Sequence, residues 1–321
     1  PSCRVEIFDQ AIPDPTTEVV GNGLNMGAKV KPDVVIAFGG GSAIDTAKGI
    51  ICFGINGGLM KKPVFVTIPT TSGTGSEVTN ATVITDVENR SKHLIADDEL
   101  LADVAILDPT LTLSVPPAVT ANTGMDVLTH ALEAYVARGA NVFSDALSEK
   151  AVELLLDALL ICYKDGKNLK ARSRMHEAST LAGMAFNTAG LGANHSIAHQ
   201  LGGAFHIPHG LANAILLCSV IDYNCGDRAV LDKYAALVYK VKLAGLTTPP
   251  SKAVEILKAV IRAMMASMDM ADSVGKTGIS RDDYLAQLDN MTENALRDTC
   301  LGSTPREIGA EEIRRILFEI Y

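Results

Sequence analysis

The chain has 321 residues, 47% hydrophobic and 20% charged, the balance of a folded globular protein with room for two domains. A net charge of −9 with no Lys/Arg run argues against nucleic acid or an anionic membrane as partner. No apolar stretch reaches the ~18 residues of a membrane span and no signal-peptide pattern occurs. The six cysteines are scattered without a CxxC pair, so reduced thiols and a cytoplasmic location are expected.

Taken in order, Arg4 to Phe8 (RVEIF) reads as a buried strand. A domain seldom begins in mid-sheet, so a further segment is expected upstream. Asp14-Pro15-Thr16-Thr17 is a turn and N-cap, followed by a helix to about Val30. Strands are predicted at Asp33 to Phe38 and Val64 to Ile68, with a helix over 43–53 between them. Thr82 to Thr85 and Val104 to Leu107 are further strand candidates. Apolar strands separated by helices predict an α/β domain with a parallel sheet covered on both faces. From Val119 the strands stop, and amphipathic stretches follow at 120–137, 144–164, 171–186, 193–204, 209–223, 229–243, 250–268, 281–299 and 310–320. This second part, 117–321, is predicted all-helical. The boundary with 1–116 falls in Leu113 to Pro117 (LSVPP).

Two glycine-rich loops follow strands of the first domain. Gly39-Gly40-Gly41-Ser42 leads into Ala43-Ile44-Asp45, where backbone amides at a helix start can approach a phosphate. It is neither the G-x-G-x-x-G fingerprint nor a P-loop, and a plain tight turn explains it as well. Pro69-Thr70-Thr71-Ser72-Gly73-Thr74-Gly75-Ser76 is rich in hydroxyls that suit phosphate, ribose or an amide. Both loops stand at C-terminal strand ends, where open α/β sheets bind ligands.

Four of the seven histidines, His195, His199, His206 and His209, lie within fifteen positions. His195 and His199 share a helix face at i, i+4, and His209 follows a Pro at the next turn. Such a cluster suits metal binding, proton transfer or both. Upstream, Asp126 and His130 are also spaced i, i+4. Alone they are a helix-stabilising pair; beside the histidines they suggest one divalent-metal site drawn from two helices. A carboxylate with two or three imidazoles suits Fe(II), Zn or Mn rather than Ca or Mg.

The motifs GGGSAIDTAK, PTTSGTGSEVT, DPTLTLSVPP, TGMDVLTHALEAY, GMAFNTAGLG, NHSIAHQLGGAFHIPHGLANA and Thr304-Pro305-Arg306 resemble, in that order, the iron-containing alcohol dehydrogenase family. The resemblance spans essentially the whole chain. RVEIFDQAIPDPT and AHQLGGAFHIPHG are most similar to the branch of 1-propanol dehydrogenases from propanediol-utilisation microcompartments. It implies a Rossmann-like nucleotide-binding domain, partial at its start, and a helical metal-binding domain. The implied metal ligands are Asp126, His130, His195 and His209, holding Fe(II) with Zn as the alternative. His199 matches a histidine near the nicotinamide and a proton-relay group. Gly40, Gly41, Ser42 and Asp45 match the pyrophosphate loop and its helix. Thr70, Thr71, Thr74 and Lys92 match cofactor-contacting positions, for NAD(H) or NADP(H), and Phe186 matches an aromatic beside the substrate. Thr304 stands where Asn is commoner.

The implied activity is reversible hydride transfer between the cofactor and a small primary alcohol or aldehyde, 1-propanol and propionaldehyde foremost. A homo-oligomer, an aldehyde dehydrogenase partner and a microcompartment shell are the implied associations. Two other readings stand beside this one. A glycerol-dehydrogenase-like enzyme would act on a polyol, and a scaffold or fragment would be inactive. The scarcity of Arg and Lys in GMAFNTAGLG favours a small neutral substrate.

Overall fold

The computed structural model describes residues 3–87 and 91–321, with the backbone alone at Ser91 and Lys92. Its elements form two compact units, Pro1–Thr112 and Leu113–Tyr321.

In the first unit, helix α1 (Thr17–Val30) starts at Thr16, whose hydroxyl accepts from the Val19 amide at 3.2 Å. Strand β1 (Val34–Gly39) leads through Gly40 into α2 (Gly41–Asn56), and β2 (Val64–Pro69) follows. Strands β3 (Ala81–Asp86) and β4 (Ser91–Ala96) precede the short β5 (Val104–Ala105). The parallel sheet has the order β1-β2-β5, with Val34 opposite Val64 and Val66 opposite Val104. Ile44, Ala47 and Ile51, on one face of α2, meet Ala37 and Phe65 of the sheet.

Three expectations need correction. Arg4 to Phe8 belongs to no strand, and Val5 and Ile7 are 73% and 79% exposed. Alternation gives a segment an apolar face; it does not supply a ladder partner. Secondly, β3 leaves the parallel sheet and pairs antiparallel with β4, a strand not predicted. Thirdly, cover of the second face is incomplete among the described residues: Val34, Ile36 and Phe38 of β1 are 48%, 60% and 59% exposed, whereas Val66 and Ile68 of β2 are half-buried.

The second unit is helical throughout its described residues: α3 (Pro117–Val136), α4 (Val142–Lys164), α5 (Leu169–Ala189), α6 (Ala193–Phe205), α7 (His209–Asn224), α8 (Arg228–Lys240), α9 (Pro250–Ser267), α10 (Arg281–Arg297) and α11 (Ala310–Glu319). Caps set several boundaries. Asn141 and Ser144 form a reciprocal capping box, and Asn168, Asp227 and Ser280 each accept from a first-turn amide. The core centres on α3, where Met125, Leu128 and Leu132 pack with Leu155 and Leu159 of α4 and Ala178 and Ala182 of α5. Gly124 permits that approach, since a Cβ there would lie 2.2 Å from Leu159 Cδ1. The buried Arg172 pins the start of α3, donating to Thr120 Oγ1 at 2.8 Å and to the Val115 carbonyl at 2.9 Å. No described helix is long and apolar enough to cross a membrane.

Candidate metal centre

Helix periodicity places Asp126, His130 and Glu133 on one face of α3. His195 lies in the first turn of α6, and His209 is the first residue of α7. Gly210 lets α7 begin against α3: a Cβ there would stand 1.9 Å from the Asn122 carbonyl oxygen, a backbone atom with no freedom to yield. As a result, one potential ligand atom from each of Asp126, His130, His195 and His209 lies within 4.8 Å of the others. Asp126, His130 and His195 are buried, and His209 is open to solvent. The rings of His130 and His195 stack at 4.6 Å. His195 Nε2 and His209 Nε2 stand 3.8 Å and 3.5 Å from Asp126 Oδ1.

Two further residues prepare these donors. Glu133 accepts from the Asn194 amide at 2.8 Å and lies 2.5 Å from His195 Nδ1. That contact occupies Nδ1 and leaves Nε2 for the cluster, the usual arrangement of a carboxylate behind a metal-binding imidazole. Burial, with the neighbouring His130, His209 and His199, holds His195 well below the usual histidine range, which favours the neutral ring that a metal requires. Burial also pushes Glu133 up to about 8, against the pull of nearby backbone amides. Positive charge at the four donors would offset that penalty. The second residue is Asn213, whose amide nitrogen lies 2.7 Å from Asp126 Oδ1, 3.1 Å from His195 Nε2 and 3.2 Å from His209 Nε2. Three acceptor atoms thus point at one electropositive group. This chemistry fits a divalent ion of Fe(II), Zn or Mn type.

Around this centre, Phe186 of α5 lies with its ring 4.5 Å from that of His130. Ala134, Ala137, Ala185 and Ala189 pack beside it, so the surroundings are small and apolar. His199 stacks on His209 at 5.4 Å, and its Nδ1 lies 2.8 Å from Asp298 Oδ2. Burial opposes ionisation of Asp298, yet the bond and charge of His199 hold its carboxyl below the usual range. His206 closes α6 in a left-handed conformation with φ 56°, an ordinary C-cap role.

The cofactor candidates gather in the first unit. Gly40 caps α2 without a side-chain bond, leaving the first amides of the helix to a ligand. The Thr70 amide donates to the Gly39 carbonyl at 3.0 Å. A Cβ at Gly41 would come within 2.6 Å of Thr74 Cγ2, and one at Gly40 within 3.2 Å of Thr71 Oγ1. The two loops therefore touch and form one cradle containing Gly40, Gly41, Ser42, Thr70, Thr71 and Thr74. Asp45 turns instead towards Ser76, whose hydroxyl donates to its Oδ1 at 2.6 Å. Lys92 falls in β4, and its side chain lies outside the described residues.

Glu133, Asn213 and Asp298 were not singled out from the sequence. The first two had a signal: Glu133 follows Asp126 by seven and His130 by three, and Asn213 follows His209 by four. Asp298 had none, being 99 residues from His199.

A phosphate-type cradle on an α/β unit, with a helical unit carrying one carboxylate and three imidazoles, is the make-up of a metal-dependent dehydrogenase. The profile described as iron-containing alcohol dehydrogenase matches residues 2–109. That of the C-terminal part of the Fe-containing alcohol dehydrogenase family matches residues 120–321. The chain belongs to the iron-containing alcohol dehydrogenase family. It is 46% identical to the 1-propanol dehydrogenase PduQ of Salmonella typhimurium over 99% of this chain and 85% of that protein. It is 38% identical to an NADPH-dependent butanol dehydrogenase of Clostridium saccharobutylicum, over 99% and 84% respectively. The crystal structure of a 1,3-propanediol oxidoreductase superposes with a TM-score of 0.92 at 35% identity, covering 98% of this chain and 84% of that one.

Proposed function

We propose that this metal-dependent alcohol dehydrogenase reduces propionaldehyde to 1-propanol, reversibly, with Fe(II) held by Asp126, His130, His195 and His209 and with NAD(H) as cofactor. The observation that carries the reading is the convergence of those four donors beside the partly exposed ring of Phe186, which packs on a buried apolar cluster. A short unbranched aldehyde offers that ring a small apolar tail, with nothing for a charged side chain to recognise. The similarity to the Salmonella 1-propanol dehydrogenase supports the same substrate.

When bound, the divalent ion supplies a Lewis acid for the substrate oxygen and the nicotinamide supplies or accepts hydride. The chain does the rest. Asp126 brings the negative charge that a cation requires, and Glu133 sets the ring and tautomer of His195. Phe186 covers the His130 side and limits water there. Asp298 holds the Nδ1 proton of His199, which leaves Nε2 free to exchange a proton with solvent during turnover. The same linked cradle of Gly40, Gly41, Ser42, Thr70, Thr71 and Thr74 takes the cofactor's diphosphate and ribose.

The test is anaerobic assay of the Fe(II)-loaded chain with NADH and NADPH against propionaldehyde, butyraldehyde and dihydroxyacetone. A kcat/KM highest for propionaldehyde with NADH is expected. A preference for dihydroxyacetone would make the enzyme a polyol dehydrogenase instead. Full, air-stable activity with zinc would remove iron from the proposal and leave the rest standing.

A further inference from the structure

Lys48 is fully buried, an unusual place for an ammonium group. Its three protons have three acceptors: the Thr79 carbonyl at 2.6 Å, Thr79 Oγ1 at 3.1 Å and the Ala81 carbonyl at 2.9 Å. One turn earlier on α2, Asp45 accepts from Ser76 Oγ at 2.6 Å through its carboxylate and from Thr82 Oγ1 at 2.9 Å through its carbonyl. All of these partners lie in residues 76–82, the exit of the hydroxyl-rich loop. Helix α2 itself begins at the first loop, with Gly40 as its cap. Holding α2 to residues 76–82 therefore holds one glycine-rich loop to the other.

A hydrophobic side chain at position 48 would fill the space without the desolvation penalty of a charge. What the ammonium adds is direction: three bonds to fixed backbone and hydroxyl positions. The neighbouring contacts show why direction matters. Gly40 and Gly41 approach Thr71 and Thr74 so closely that no Cβ fits at Gly41. A shift of the second loop against the first would change those contacts directly.

We propose that Asp45 and Lys48 are positioning residues that lock the two loops into a single preformed cradle for the cofactor's diphosphate and ribose. Neither side chain contacts the cofactor; each acts through the loop it holds. The inference rests on the reading that these loops bind the cofactor, and it reassigns Asp45 from contact to support.

The experiment measures binding of NADH and of ADP-ribose by titration calorimetry on the full chain, for wild type, Lys48→Met, Asp45→Asn and Ser76→Ala. Metal content and kcat at saturating NADH are measured alongside. The expected result is a dissociation constant raised about tenfold or more in Lys48→Met and severalfold in the other two, the scale of lost buried hydrogen bonds. Metal content and saturated kcat should stay within about twofold of wild type, a KM effect without a kcat effect. Amide exchange across residues 70–80 should quicken in the same variants. If Lys48→Met does not fold, the near-isosteric Asp45→Asn and the mild Ser76→Ala carry the test. Lowered thermal stability with unchanged affinity for both ligands would overturn the inference, because the residues would then serve folding alone. Failure of the wild-type chain to bind either ligand would instead overturn the cofactor reading beneath it.

Discussion

The metal centre of the helical unit and the cradle of the α/β unit are built by opposite means. The centre stands on long helices in a dense core, where Met125, Leu128 and Leu132 are almost wholly buried. Each such side chain contributes about 1.5–3 kcal/mol on burial, so losing one ligand leaves the scaffold standing. The cradle rests on a small core of Ala37, Ile44, Ala47, Ile51 and Phe65, and is held by a few polar bonds and close glycine contacts. Chemistry can therefore be removed from the first region without moving the backbone. In the second, backbone placement is the chemistry.

The largest effect expected from that difference is at Asp126. Asp126→Ala removes the only carboxylate of the four donors, and turnover should fall by about three orders of magnitude or more. Circular dichroism should show the helices intact. Loss of helical signal in step with activity would erase the contrast between the two regions.

Next in size is His199→Gln. With metal content and fold retained, kcat should drop by about 10²–10⁴-fold, the range of a lost acid–base group. Asp298→Asn should follow it in the same direction, since Asp298 holds Nδ1. Unchanged kcat in His199→Gln would confine that histidine to a packing role against His209.

Smaller again is Gly41→Ala. The added methyl would meet Thr74 at 2.6 Å, so cofactor affinity should weaken about tenfold while bound metal is unaffected. A pairing with Thr74→Ser, which removes the nearest methyl, should recover part of the loss. Absence of any effect on NADH affinity would detach the cradle from cofactor binding.

The smallest effect is a pH slope. Burial pushes the Lys48 ammonium down to about 8, although Asp45 and Glu77 oppose the shift. Free lysine titrates near ~10.4, so between those values the unfolded chain binds more protons than the folded one. The Lys48 contribution to stability therefore increases with pH across that window and is flat below it. Denaturant midpoints of wild type should rise relative to Lys48→Met between about pH 8 and 10. A parallel pair of curves would show that Lys48 is not strained by burial.

The same contrast explains what could be read in the sequence. Helices α3 to α11 were legible because each repeats its apolar face over several turns. The quartet was legible because i, i+4 spacing on a helix is already geometry. Residues 4–8 and β4 were not, since strands depend on partners that alternation does not name. Val5 and Ile7 alternate like core residues and are exposed. The bond from Ser76 to Asp45 was equally hidden, because it joins two segments 31 residues apart. Asp298 reaches His199 only through the packing of α10 against α6, which no local pattern encodes.

Metal stoichiometry tests the central claim most directly. The chain, stripped with chelator and reloaded anaerobically with Fe(II), is assayed for bound metal by mass spectrometry beside His195→Ala and His209→Ala. One divalent ion per chain in wild type, with loss from both variants and retained helical signal, is the result predicted by the convergence of the four donors. Stoichiometric metal retained in both variants would contradict it.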